Sequence, residues 1–152
     1  MKGSLASRVL NIFLYMIFIF GVLITITLPF MLENYLKYLY HVPSVDQGYH
    51  NFIFVFLIVI AIPGLWIIWE MIRMLHSVPQ GPFVMRNVHA LRRIGIILFV
   101  LTVLFFGKCC LYATVLSISC GFLFMIGGLF VFTLANMFRQ AVIFKEENDL
   151  TI

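Results

Sequence analysis

Few side chains in this 152-residue chain are of a type and spacing suited to chemistry. A hydrolase needs a nucleophile beside a base, or clustered metal ligands. The histidines are His41, His50, His76 and His89, and none is set at a metal spacing such as HExxH. Cys109, Cys110 and Cys120 contain no CxxC pair, and they read as small apolar packing residues. No Ser-His or Cys-His arrangement at a shared depth stands out, and no glycine-rich phosphate loop occurs. Coupled transport asks for ionisable groups inside the membrane. Glu70 closes an apolar stretch with Arg73 as its i,i+3 partner, and Lys108 lies in the outer part of another, where it can snorkel. No carboxylate falls mid-stretch. The expectation is a protein that is not an enzyme and that uses no metal or cofactor.

The elements that carry these residues are set by composition. Hydrophobic residues make up 63% and charged residues 11%, with a mean hydropathy of +1.10. Soluble domains are nearer half apolar and a quarter charged. A chain with so little polar surface needs lipid as its solvent. The expected fold class is an all-α integral membrane protein, one domain over residues 1–152, with four spans as two antiparallel hairpins. The spans are placed at about 9–30, 52–72, 94–112 and 117–138, with a tail at 139–152.

The first stretch is too long for a signal-peptide core and no small-x-small site follows it, so an uncleaved helix is expected. Over Met31–Asn51, Leu32, Tyr35, Leu36 and Leu39 recur at helical spacing, Glu33 and Lys37 form an i,i+4 pair, and the tyrosines suit a headgroup zone. Pro43, Ser44, Asp46 and Gly48 mark a loop. Pro63 falls inside the second span and predicts a kink, read as a packing bend. Pro79, Gly81 and Pro82 predict a turn. A short amphipathic cytoplasmic helix lying on the membrane surface is expected after it, with Phe83, Val84, Val88 and Leu91 on one face and Arg86, Asn87, His89 and Arg93 on the rest. Gly121, Gly128 and Ala135 recur every seven residues, a stripe that lets another helix approach. Packing within the chain is preferred over dimerisation as its use.

An even number of spans puts both termini on one side. Lys2, Arg8, Arg73, Arg86, Arg92, Arg93, Arg139 and Lys145 fall there, and only Lys37 and Lys108 fall opposite. The excess of Lys and Arg predicts that this side is cytoplasmic. The net charge of +4 is thus a matter of membrane orientation. Direct nucleic-acid binding is not expected, since no basic stripe with base-reading chemistry occurs. The basic face could bind anionic lipid, at about 1 kcal/mol per residue near the surface.

Two motifs carry a family resemblance. One is Gly81-Pro82-Phe83, then Asn87, then Leu91-Arg92-Arg93-Ile94-Gly95. The other is the ending Glu146-Glu147-Asn148-Asp149-Leu150-Thr151-Ile152. Together they resemble a bacterial family of four-span membrane proteins, domain of unknown function 2975. The resemblance implies four helices with a cytoplasmic C-terminus in the bacterial cytoplasmic membrane, and no known activity. It also implies a genomic association with very small helix-turn-helix regulators.

Three functions follow as expectations. The first is a regulatory module that binds or sequesters a small cytosolic helix-turn-helix protein through Arg86, Asn87, Arg92, Arg93, Glu146, Glu147, Asn148 and Asp149. The second is self-protection against a membrane-active, bacteriocin-like peptide, with Met31–Asn51 as the working surface. The third and weakest is a small transport subunit, disfavoured by the uncharged interior and the lack of an internal repeat.

Overall fold

The computed structural model describes residues 5–40, 47–77 and 84–150. They form four helices: α1 (Leu5–Tyr40), α2 (Gln47–Ser77), α3 (Met85–Leu111) and α4 (Val115–Leu150). All four are long and apolar enough to cross a membrane. The protein is a multi-pass, all-α membrane protein. Helices are what such a sequence must form in lipid, where every backbone N–H and C=O needs an internal partner. The hydroxyls inside the spans follow the same constraint. Thr25 donates to the Gly21 carbonyl at 2.8 Å, Thr102 to Leu98 at 2.9 Å and Thr133 to Leu129 at 3.0 Å.

Among the described residues each helix packs only on its neighbours in sequence: α1 on α2, α2 on α3 and α3 on α4. Ring contacts show that each pair runs antiparallel. Tyr15 meets His76 and Phe18 meets Trp69, Tyr49 meets Tyr112 and Phe56 meets Phe105, and Phe99 meets Phe132 while Phe106 meets Phe122. Phe105 also meets Phe124, so one aromatic row crosses α2, α3 and α4. Each such pair is worth roughly 0.5–1.5 kcal/mol beyond area burial.

The most extensive seam joins α3 and α4. Its α4 side is the predicted small-residue stripe, extended by one step: Gly121 and Gly128 are buried, Ala135 is 0% exposed and Val142 2%. On α3, Asn87, Ile94, Leu101 and Lys108 are buried at the same seven-residue spacing, as are Val88, Gly95 and Thr102. A sustained seven-residue period is that of left-handed helix pairing. Phenylalanines fill the space the small residues leave. A Cβ on Gly95 would lie 2.9 Å from Phe132, on Gly128 3.2 Å from Phe99, and on Gly121 3.1 Å from Phe106.

Two expectations are changed. The segment before the third span is not a separate surface helix, because α3 begins at Met85 and runs unbroken to Leu111. Asn87, expected on the polar face, is 3% exposed. Val88, Ala90 and Leu91 of the same turns are buried as well, and on α4 the seven-residue row of buried positions reaches Val142, past the uncharged stretch. Residues 139–150 of the expected tail are the last turns of α4, which ends at Leu150. Elsewhere, α2 runs through Pro63, and Gly48, expected in a loop, is in its first turn. The backbone of α1 continues to Tyr40, as the spacing over Leu32–Leu39 predicts. Pro43, Ser44, Asp46, Pro79, Gly81, Pro82 and Phe83 lie outside the described residues.

Overpacking the α3–α4 seam should be costly. Gly95→Val is expected to lower stability by about 1–3 kcal/mol, because the Phe132 ring is in the way. Gly107→Ala, with nothing within 4 Å of the added carbon, should not. Thermal unfolding of the two variants in the same detergent checks the contrast.

Candidate functional site

Two polar clusters and one exposed helix end account for the charged and hydrogen-bonding groups that sequence reasoning singled out. The first cluster ties α2 to α3. Glu70, in the last turns of α2, is 2% exposed. Arg93 from α3 donates to it twice, Nε to Oε1 at 2.9 Å and Nη2 to Oε2 at 3.1 Å. Arg73, the partner expected from i,i+3 spacing, is more distant, with Nη1 3.8 Å from Oε1. The dominant partner was hidden in sequence because it lies 23 positions away. A usable signal existed: Glu70 is the only acidic residue between Asp46 and Glu146. A buried carboxylate must find a cation, and two-point guanidinium geometry is the strongest form of that contact.

The second cluster closes the other end of α3. Lys108 is 9% exposed, so it does not snorkel outward. Its ammonium donates to Ser117 Oγ at 2.6 Å and to Thr114 Oγ1 at 3.3 Å, and lies 5.7 Å from the Phe56 ring centroid. Thr114 and Ser117 are 2.7 Å apart, and the Ser117 backbone N–H donates to Thr114 Oγ1 at 3.3 Å. Thr114 thereby caps α4, the role a hydroxyl takes before a helix start. A lysine followed six and nine residues later by Thr and Ser was the available signal. Its ammonium also sits in the last turn of α3, where the helix dipole favours a cation.

The expected partner-contact residues divide. Arg86 and Arg92 are exposed on the first turns of α3. Arg93 is committed to Glu70, and Asn87 is buried. Glu146, Glu147 and Asn148 are exposed on the last turns of α4. Asp149 is helical, and its side chain lies outside the described residues, as do Thr151 and Ile152. The helix end projects well past the membrane-length stretch. From Val115 to Phe138 α4 is uncharged, about 36 Å of rise. From Arg139 to Leu150 it adds about 18 Å more.

The remaining reactive groups stay dispersed. The Nδ1–H of His76 donates to the Ile72 carbonyl at 2.9 Å and that of His89 to Met85 at 2.8 Å, each within its own helix. His41 lies outside the described residues. Cys109, Cys110 and Cys120 are free thiols. Among the described residues no three His, Cys, Asp or Glu side chains gather as a metal site.

These features define a class, a polytopic helical membrane protein whose buried charges serve helix contacts and whose last helix ends in a charged extension. Residues 33–152 match the family model described as protein of unknown function (DUF2975), and the chain belongs to that family. Both motifs that carried the resemblance fall within the matched residues, whereas most of α1 precedes them. No curated protein and no solved structure matches the chain.

Removing one member of the Glu70 pair should cost more than removing both. Arg93→Met strands a buried carboxylate and is expected to destabilise by about 3 kcal/mol, the low end for a broken buried pair because Arg93 is half exposed. Adding Glu70→Met should recover much of that loss. Unfolding temperatures of the two single variants and the double variant test this, and additive losses would refute the coupling.

Proposed function

We propose that the protein is a non-enzymatic regulatory module of the bacterial cytoplasmic membrane, which holds a small cytosolic helix-turn-helix DNA-binding protein at the membrane surface. The observation that carries this reading is the continuity of α4, which extends as helix to Leu150, about 18 Å beyond its uncharged stretch. A chain end that only had to stay wet would not need to be built as a helix continuous with the span. As a helix it presents Glu146, Glu147 and Asn148 at a fixed distance from the uncharged stretch. Arg86 and Arg92, exposed on the first turns of α3, lie at the same end of the molecule. Mixed charge of this kind suits a water-phase protein partner, with opposite charges setting register and approach.

The body contributes anchorage. Its most buried ionisable groups, Glu70 and Lys108, are occupied in holding helices together. A regulator retained at the membrane and released on a signal is a two-state system, and a signal acts on it only by binding or straining one state differently.

The reading requires the basic end to face the cytoplasm. In a variant lacking the native cysteines, Ala113→Cys at the α3–α4 turn should react with a membrane-impermeant maleimide in intact cells. Lys145→Cys should react only after lysis. The opposite pattern would overturn the orientation.

For the partner, an N-terminally tagged chain with its own C-terminus intact is solubilised mildly, and retained proteins are identified by mass spectrometry. A small helix-turn-helix protein is expected with the full chain and should be lost when residues 146–152 are deleted. Recovery of the membrane protein alone, from cells making both, counts against the proposal.

A further inference from the structure

Between α1 and α2 lies an open groove of about 360 Å³, lined by Phe18, Ile62, Leu65, Trp66, Trp69 and Arg73. Its walls are apolar and largely aromatic, and its one charged group is at one end. The groove has a structural cause. Gly21 allows α1 to come close to α2, since a Cβ there would lie 3.0 Å from Leu65 Cδ2. One turn further on, the Phe18 and Trp69 rings, 6.0 Å between centroids, hold the helices apart. Trp66 and Trp69 remain 55% and 47% exposed along this opening.

Arg73 is the unusual member. Both oxygens of Glu70 are taken by Arg93 at 2.9 and 3.1 Å. Arg73 stands 3.8 Å from the same carboxylate, too far for a hydrogen bond, and is 50% exposed. Arg93 therefore neutralises the carboxylate beside it and leaves the Arg73 guanidinium with donors to spare. The rise from Ile62 to Arg73 is about 16 Å. An apolar slot of that length, ending in an underused cation at the basic end of the molecule, matches an amphiphile with an anionic head.

We propose that this groove is a binding site for one anionic phospholipid, its acyl chain along Phe18, Leu65, Trp66 and Trp69 and its phosphate on Arg73. The site is independent of the α4 extension and of any protein partner. It makes α1 and α2 sense lipid charge directly, through a residue that the fold does not need for its own ion pair.

The chain supplies its own probe, because Trp66 and Trp69 are its only tryptophans. The full-length protein is reconstituted in phosphatidylcholine vesicles containing brominated phosphatidylglycerol or brominated phosphatidylcholine, and quenching of its fluorescence is compared. Both lipids touch exposed tryptophan, so the readout is the relative affinity. The anionic lipid is expected to be preferred about fivefold, the effect of one basic residue near a net-anionic lipid headgroup. Arg73→Gln should reduce the ratio to about one. Arg73→Lys should keep it, as should Arg139→Gln, which alters an arginine outside the groove. Equal quenching by the two lipids in the unaltered protein would overturn the proposal. So would a preference that survives Arg73→Gln, or one that falls equally with Arg139→Gln, since either describes a diffuse basic surface.

Discussion

The arrangement of this protein depends on satisfying a carboxylate where water is scarce. Glu70 is among the most buried side chains in the molecule, and it lies at a helix end within an apolar chain. Leaving it unpaired would cost several kcal/mol, so α3 must begin where Arg93 can reach it. That single requirement fixes the height of α3 against α2. The aromatic row of Phe56, Phe105 and Phe124 then follows at the next levels, and the Lys108 cluster closes the far end. Between Arg93 and Lys108 α3 has only fourteen uncharged residues, about 21 Å, less than a hydrocarbon core of about 30 Å. Both ends therefore need polar partners supplied by protein, and both have them.

The α3–α4 seam obeys a different constraint. Lipid gives helices no hydrophobic reason to associate, so close packing has to supply the attraction. Glycines at Gly95, Gly121 and Gly128 bring the backbones near, and Phe132, Phe106 and Phe99 fill the gaps they leave. Because the seam continues to Val142, it also stiffens the part of α4 outside the uncharged stretch. The exposed acidic end is thus carried on a support that begins deep in the membrane-spanning region.

Much of this was legible in the sequence. Span number, helix class, the small-residue stripe and the separation of basic from less basic ends all follow from hydropathy and the placement of Lys and Arg. Hydropathy and family resemblance agree on four helices, and the chain belongs to that family over residues 33–152. What sequence reasoning missed was every contact at long range. Glu70 was matched with Arg73 because i,i+3 neighbours are visible in one dimension, whereas Arg93 is brought near only by the α2–α3 packing. Lys108 was read as a snorkelling anchor because its two hydroxyl partners sit across a helix boundary. The amphipathic segment at Phe83–Arg93 reads in sequence as surface-lying because its polar face suits water. The burial of Asn87, Val88, Ala90 and Leu91 could not be inferred from that segment alone. Of the residues expected at a partner contact, Asn87 is buried and Arg93 pairs with Glu70 while half exposed, whereas Arg86, Arg92, Glu146, Glu147 and Asn148 are exposed.

The strictly sequential packing of the four helices bears on how the protein is made. Each helix after α1 packs on the one synthesised just before it. Among the described residues no helix contacts one that is not its neighbour in sequence, so the entropy of closing long loops enters little. Once α2 has emerged it can settle on α1. The Glu70 carboxylate waits 23 residues for Arg93, with only the more distant Arg73 beside it until then, and α4 docks last. Assembly can keep pace with translation, and the least stable moment of biogenesis is confined to the short interval between the second helix and the third.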